Sequence, residues 1–273
     1  MPELPEVETV KNEISPYITG RIISGITLFW EGIVKEPSPE DFCSGLVGKK
    51  ILGITRRGKY MIVSLDSPDY LIIHLKMTGS LIAQKSDDEP PRFTRAVIHL
   101  DDGNSVFFRD PRKFGAMRLV RDKDRIIGKL GPEPFEADFT PVVLTQRLSK
   151  RKAPIKAVLC DQNFVAGIGS MYADEALFAT GIHPMRTADS LSKAEIESLY
   201  EAIKRILWTA IENKGASVNT YYRPDGSKGT AHYEFKVAHR FHEPCPVCGT
   251  PVERMKVRGR GSYFCPKCQV EKE

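Results

Sequence analysis

Cys245-Pro246-Val247-Cys248 and Cys265-Pro266-Lys267-Cys268 bracket sixteen residues near the end of the chain. Two Cys-x-x-Cys knuckles at that separation fit a four-thiolate tetrahedral zinc site built on a β-hairpin. Gly249 and Pro266 supply turn-forming residues beside the knuckles. The competing reading is a pair of disulfides, which belongs to exported proteins. The chain opens with no basic segment followed by an apolar one, so nothing in it directs export. Between the knuckles, residues 257–264 read as the turn and return strand of the hairpin. Lys256, Arg258, Arg260 and Lys267 crowd this module, and a guanidinium at a metal-stapled tip suits a phosphate fork. The alternative is a zinc ribbon serving only as a structural cap. Cys43 and Cys160 lie in apolar surroundings and read as core residues.

Upstream of the hairpin the pattern is helical. Ser192 and Glu195 form a capping box, and Ile196, Leu199, Ile203, Ile206, Leu207 and Ile211 recur at helical spacing until Asn213-Lys214-Gly215. The segment 150–156, containing Arg151 and Lys156, begins another helix. Gly167-Ile168-Gly169-Ser170 precedes a third, and a glycine-bearing turn at a helix N-terminus suits a phosphate. A tight turn between packed helices is the plain alternative. A hinge falls at Leu130-Gly131-Pro132-Glu133-Pro134.

Before the hinge the period changes to two. Short runs at residues 22–29, 50–55, 60–65, 70–75, 96–100, 105–108 and 117–120, separated by turn signals such as Asp101-Asp102-Gly103-Asn104, predict a β-sandwich. The polar stretch 86–91 reads as a mobile loop. Residues 6–17 form a helix ending at Ser15-Pro16. A length of 273 residues fits two domains of ordinary size, and a hydrophobic fraction of 41% is ample for their cores. No run approaches the ~20 apolar residues of a membrane span. The net charge of +5 permits nucleic-acid binding without demanding it.

The chain starts Met1-Pro2-Glu3-Leu4-Pro5-Glu6-Val7-Glu8. Removal of Met1 leaves a proline amine, and α-amino groups have a pKa of about 8. Such an amine is partly unprotonated near neutrality and can attack a sugar carbon to give an iminium, with Glu3 moving protons. Alternatively, Pro5 merely starts a helix whose positive end Glu6 and Glu8 stabilise.

On this opening and on the motifs that follow in order along nearly the whole chain, the sequence resembles the bacterial formamidopyrimidine-DNA glycosylases. That resemblance implies an α+β fold with a catalytic N-terminal β-sandwich and helix over 1–131. A helix–two-turn–helix domain with a lesion-capping loop would span 132–240, and the zinc-finger hairpin 241–273. It implies excision of oxidised purines from damaged double-stranded DNA, followed by β,δ-elimination at the abasic site. Pro2 would be the nucleophile, with Glu3, Lys59 and Arg260 in catalysis. Met77, Arg112 and Phe114 would fill the gap left by the extruded base, although apolar Met77 and Phe114 taken alone read as core. His74, Arg95, Arg151, Lys156, Gly169 and Ser170 would contact DNA, and Ser217, Thr220 and Tyr221 the lesion. The loop 216–234 would cover the base and be mobile when free. One structural zinc on Cys245, Cys248, Cys265 and Cys268 completes the implied set. The resemblance also implies a cytoplasmic monomer without a nucleotide cofactor.

The chain departs from the family pattern at three places. Phe93-Thr94-Arg95 stands for His-x-His, with Arg95 a candidate to take over the phosphate contact. Ser170 stands for asparagine, and Ala238-His239-Arg240 for Tyr-Gly-Arg. Two rival readings differ in class: an endonuclease VIII-like enzyme for oxidised pyrimidines, which typically has glycine at the position of Leu4, and a non-enzymatic zinc-ribbon DNA-binding protein.

Overall fold

The computed structural model describes residues 1–218 and 220–271. Contacts divide the chain into two compact units, Met1–Lys129 with Asn213–His232, and Leu130–Glu212 with Tyr233–Glu273.

The first unit opens with helix α1 (Leu4–Ile18). Pro5 sits in its first turn, where a missing N–H costs nothing. The helix runs past Pro16 rather than stopping at it, because a proline in the last turn sacrifices a single backbone bond. Strands β1 (Ile23–Leu28) and β2 (Val34–Glu36) follow, then α2 (Pro39–Leu46), whose Ser38 Oγ accepts the Asp41 N–H at 3.1 Å. Next come β3 (Ile51–Arg57), β4 (Tyr60–Leu65), β5 (Tyr70–His74), β6 (Ser80–Lys85), β7 (Thr94–Leu100), β8 (Asn104–Arg109) and β9 (Ala116–Val120). They form two sheets, ordered β1-β7-β8-β6 and β2-β9-β5-β4-β3, with only the β2–β9 pair parallel. Val7, Val10 and Ile14 of α1 share one core with Met61, Leu71 and Ile73 of one sheet and Ala96, Val106 and Phe108 of the other. The predicted sandwich is therefore present.

Register decides what lies near what. Tyr60 and Ala116 both pair with His74, so the turn ending at Lys59, the exit of β5 and the entry to β9 meet at one end of the five-stranded sheet.

A short helix, α3 (Asp124–Ile127), precedes the hinge and still belongs to the first unit. The second unit follows with α4 (Pro141–Leu148), α5 (Ile155–Leu159), α6 (Ser170–Ala179) and α7 (Lys193–Glu212). The predicted capping box of α7 is formed: Glu195 accepts the Ser192 N–H at 2.8 Å, and Ser192 Oγ accepts the Glu195 N–H at 3.3 Å. Strands β10 (Glu253–Val257) and β11 (Arg260–Phe264) make the hairpin. Phe178, Val237 and Val252 pack with Cys245 and Cys265 beneath it. No helix among the described residues is long and apolar enough to cross a membrane.

Candidate functional site

In the first unit, Pro2 and Glu3 are buried at the start of α1 while Met1 is half exposed. The Glu6 carboxylate fixes this end: Oε2 accepts the Glu3 N–H at 2.7 Å, and Oε1 accepts the Ala216 N–H at 2.8 Å. Gly215, at φ +77°, leaves no space for a Cβ, which would sit 2.9 Å from Glu6 Cγ. One buried carboxylate thus ties the N-terminal turn to the base of the 216–234 loop. Sequence reading missed Glu6 in this role; the Glu3-x-x-Glu6 spacing at a helix start was its available signal.

Lys59 is buried, 3% exposed, immediately before β4. His74, expected to contact DNA, is also buried. Its Nδ1 accepts the Lys76 N–H at 2.9 Å, and its ring meets Tyr60 edge-on at 4.5 Å. Burial first, then the charges of Lys76, Lys59 and Arg118, hold the imidazole down to about 3. His74 therefore stays neutral with its proton on Nε2, and its Nδ1 supports the turn that carries Met77.

Met77 and Phe114 are 41% and 47% exposed, against the core reading that apolarity alone favours. Each follows a left-handed residue, Lys76 at φ 55° and Lys113 at φ 59°, in turns that throw the side chain outward. The Arg112 guanidinium lies 4.8 Å over the Phe114 ring. Arg95, expected to take over a phosphate contact, instead donates from Nε to the Asp110 carbonyl at 2.8 Å and from Nη2 to the Pro111 carbonyl at 3.4 Å.

The loop expected to be mobile is tethered within this unit. Arg223 forks onto the Glu13 carboxylate at 2.7–3.0 Å, Pro224 O accepts the Ala83 N–H at 3.0 Å, and Arg109 stacks 5.3 Å over Tyr222. Ser217 and Tyr221 are buried. Ser217 Oγ donates to Tyr221 O at 2.9 Å and accepts the Gly229 N–H at 3.0 Å. Tyr221 OH reaches Glu6 O at 3.4 Å, and burial followed by the Glu6 charge pushes its phenol well above the usual range. Thr220 is half-buried.

In the second unit, Gly169 is the N-cap of α6 and Ser170 its first residue. Gln162 braces the preceding turn, accepting the Gly167 N–H at 3.0 Å and donating to Ile168 O at 2.7 Å. Lys156, expected to meet phosphate, is 1% exposed. It pairs with Asp174 and donates to Ser170 O at 2.5 Å; its ammonium is spent inside the fold. Burial raises the Asp174 carboxyl and Lys156 opposes it. Ser262 donates to Asp174 at 2.6 Å, and Ser170 Oγ to Gly261 O at 2.8 Å, so the turn of the helices and the hairpin are bonded directly. Arg260 and Arg151 remain exposed. Glu175, also missed in sequence, accepts the backbone N–H groups of Lys236, Val237 and Ala238 at 2.8–3.0 Å. His239, at φ 64°, stacks on Tyr263 at 5.4 Å.

The four thiol sulfurs of Cys245, Cys248, Cys265 and Cys268 lie within 4.8 Å of one another. Cys245–Cys268 are 3.9 Å apart and Cys248–Cys265 3.4 Å, close to the ~3.8 Å edge of a tetrahedron with Zn–S bonds of about 2.3 Å. The donor set fits one structural zinc.

A β-sandwich that opens Met1-Pro2-Glu3, with a helical unit carrying a four-thiolate zinc site after it, has the parts of a DNA glycosylase of the base-excision class. Three family models match in order: the formamidopyrimidine-DNA glycosylase N-terminal domain over residues 1–117, the H2TH domain over 130–222, and the zinc finger found in FPG and IleRS over 243–270. A formamidopyrimidine-DNA glycosylase of Symbiobacterium thermophilum is 42% identical over 98% of this chain and 89% of its own length. A Lactococcus lactis FPG variant, solved in complex with a Fapy-dG containing DNA, superposes with a TM-score of 0.92 at 35% identity, covering 99% of this chain and all of that one. The MutM (FPG) protein of Thermus thermophilus gives 0.90 at 37%, covering both chains fully. The chain belongs to the formamidopyrimidine-DNA glycosylase family.

Proposed function

We propose that the protein excises oxidised purines, 8-oxoguanine and ring-opened formamidopyrimidines, from duplex DNA and then cleaves the strand by β,δ-elimination. The observation that carries this reading is the Pro2-Glu3 pair at the buried start of α1, its backbone held by Glu6. With Met1 removed, the Pro2 nitrogen attacks C1′ of the damaged nucleotide, and the base departs with the electrons of the glycosidic bond. Glu3 exchanges the protons at the sugar. The resulting iminium acidifies the neighbouring C2′–H, so the 3′ phosphate leaves first and the 5′ phosphate second. Lys59 acts beside the amine, its charge favouring the unprotonated nucleophile, and Arg260 serves the second elimination.

Damage within a duplex is reached only when its nucleotide leaves the stack. Met77, Arg112 and Phe114 fill the vacated space, since apolar wedges and a cation suit it. Arg112, Arg151, Arg260 and the Gly169-Ser170 helix start face phosphate; Ser217, Thr220 and Tyr221 border the lesion. His74, Arg95 and Lys156 enter as supports of these groups. By role the chain divides at 1–131, 132–240 and 241–273, although by packing residues 213–232 go with the first unit. The zinc ion holds the hairpin and takes no part in the chemistry. For a DNA-repair enzyme the place of work is the nucleoid, in the cytoplasm, and the protein acts there as a monomer.

Borohydride trapping across duplexes carrying 8-oxoguanine, formamidopyrimidine or oxidised pyrimidines tests the substrate class. Strongest covalent capture on the purine lesions is expected. Preferential capture on oxidised pyrimidines would move the protein to the endonuclease VIII-like class, and no capture on any would leave a DNA-binding protein.

A further inference from the structure

Two connections pass between the sheets of the sandwich. Residues 75–79 carry the chain from β5 to β6, and residues 110–115 carry it from β8 to β9. The ladder pairs His74–Ala116 in one sheet and Ser80–Arg109 in the other set both ends of the two connections side by side. One connection carries Met77, the other Arg112 and Phe114.

Asp110 is fully buried, and its carboxylate gathers donors from both connections. Oδ1 accepts the Thr78 hydroxyl and, at 3.2 Å, the Arg112 N–H. Oδ2 accepts the N–H groups of Phe114 and Gly115 at 2.7 Å each. A Cβ on Gly115 would lie 2.6 Å from the Phe108 ring and 3.2 Å from Asp110 Oδ2, so the backbone is drawn in as far as it can come. From outside, Arg95 grips the carbonyls of Asp110 and Pro111. The two left-handed residues beside the exposed side chains, Lys76 and Lys113, are conformations that persist only where the surroundings over-determine them.

We infer that Asp110, braced by Arg95, is the positioning residue that locks the Met77 turn to the Arg112–Phe114 turn, so that the three side chains enter the base stack as one rigid wedge. Asp110 touches no substrate; its effect falls on extrusion of the nucleotide and leaves imine chemistry alone. The inference rests on the wedge reading above. It also gives the Phe93-Thr94-Arg95 departure a meaning: the guanidinium there holds protein carbonyls.

The test compares single-turnover excision of a lesion in duplex DNA with borohydride trapping on a pre-made abasic site in single-stranded DNA, alongside 2-aminopurine fluorescence as a report of unstacking. Asp110→Asn turns an acceptor oxygen into a donor facing N–H groups. It should slow duplex excision and unstacking about tenfold or more, while trapping on the single strand changes less than about twofold. Thr78→Val removes only the cross-link between the turns and should give a smaller loss of the same kind; it carries the test if Asp110→Asn does not fold. Arg95→Gln should leave the salt slope of binding unchanged, since removing a cation that met phosphate would flatten it by roughly one unit. The double variant Met77→Ala, Phe114→Ala is the control. If it keeps wild-type duplex excision, the wedge reading fails. If it loses excision while Asp110→Asn and Thr78→Val keep wild-type unstacking, the wedge stands and the inference is overturned. Equal losses on duplex and single strand for the Asp110 and Thr78 variants would overturn it too, and a flattened salt slope for Arg95→Gln would remove Arg95 from it.

Discussion

The wedge turns of the first unit and the hairpin of the second solve the same problem by different chemistry. Each presents exposed cationic or apolar side chains on a backbone fixed from behind by a buried aspartate. Asp110 does so with hydroxyl and backbone donors only. Asp174 does so with a buried ammonium, Lys156, and a hydroxyl, Ser262, inside a module that a metal also staples. Neutral donors around a carboxylate are individually modest contributors. A buried ion pair is costly to break because the surviving charge is left uncompensated. The second unit should therefore fail more abruptly than the first when its support is removed.

Metal removal should expose this difference most strongly. Metal binding supplies most of the folding energy of so small a module, so chelation or Cys248→Ala should unfold the hairpin and cut DNA affinity more than about tenfold. Hydrogen exchange should show the sandwich amides unchanged; equal loosening of both units would erase the distinction. Next in size, Asp174→Asn strands Lys156 and should cost the second unit about 3–5 kcal/mol, against about 1–3 kcal/mol for Asp110→Asn in the first. Urea midpoints in the reverse order would break the comparison. Smaller still, Arg260→Ala should flatten the salt slope of binding by roughly one unit for every DNA sequence. An unchanged slope with unchanged affinity would make the hairpin a structural cap.

Smallest near neutrality, and growing as pH falls, is the pH dependence that His74 gives the first unit. His74 is held down to about 3 in the fold, against an ordinary value of 6.5. Between those values the unfolded chain binds a proton that the folded one refuses, so stability is full above about 6.5 and declines as pH falls towards 3. His74→Asn should flatten that decline, and an unaltered profile would assign it to other groups.

Much of this was legible in the sequence. The knuckle spacing, the α7 capping box and the alternating runs of the sandwich are local patterns, and local patterns survive folding. Strand β2 escaped because it is only three residues long, and β6 because Ser80–Lys85 lacks strict alternation. Helices α2 and α4 escaped although Ser38-Pro39 and Thr140-Pro141 are cap-and-first-turn pairs. Lys156 looked like a phosphate ligand because its partner Asp174 lies eighteen residues away, beyond the reach of spacing. Met77 and Phe114 looked like core because composition carries no record of the left-handed turns that expose them. Asp110 in Asp-Pro reads as an ordinary turn former until the second connection is set beside it.

The central claim is that the Pro2 nitrogen is the nucleophile. Peptide mapping of the borohydride-reduced complex by mass spectrometry tests it directly, using protein with Met1 removed and a duplex containing 8-oxoguanine. The reduced sugar should be found on the N-terminal peptide, at Pro2. An adduct on Lys59 or another lysine, with Pro2 unmodified, would contradict the account.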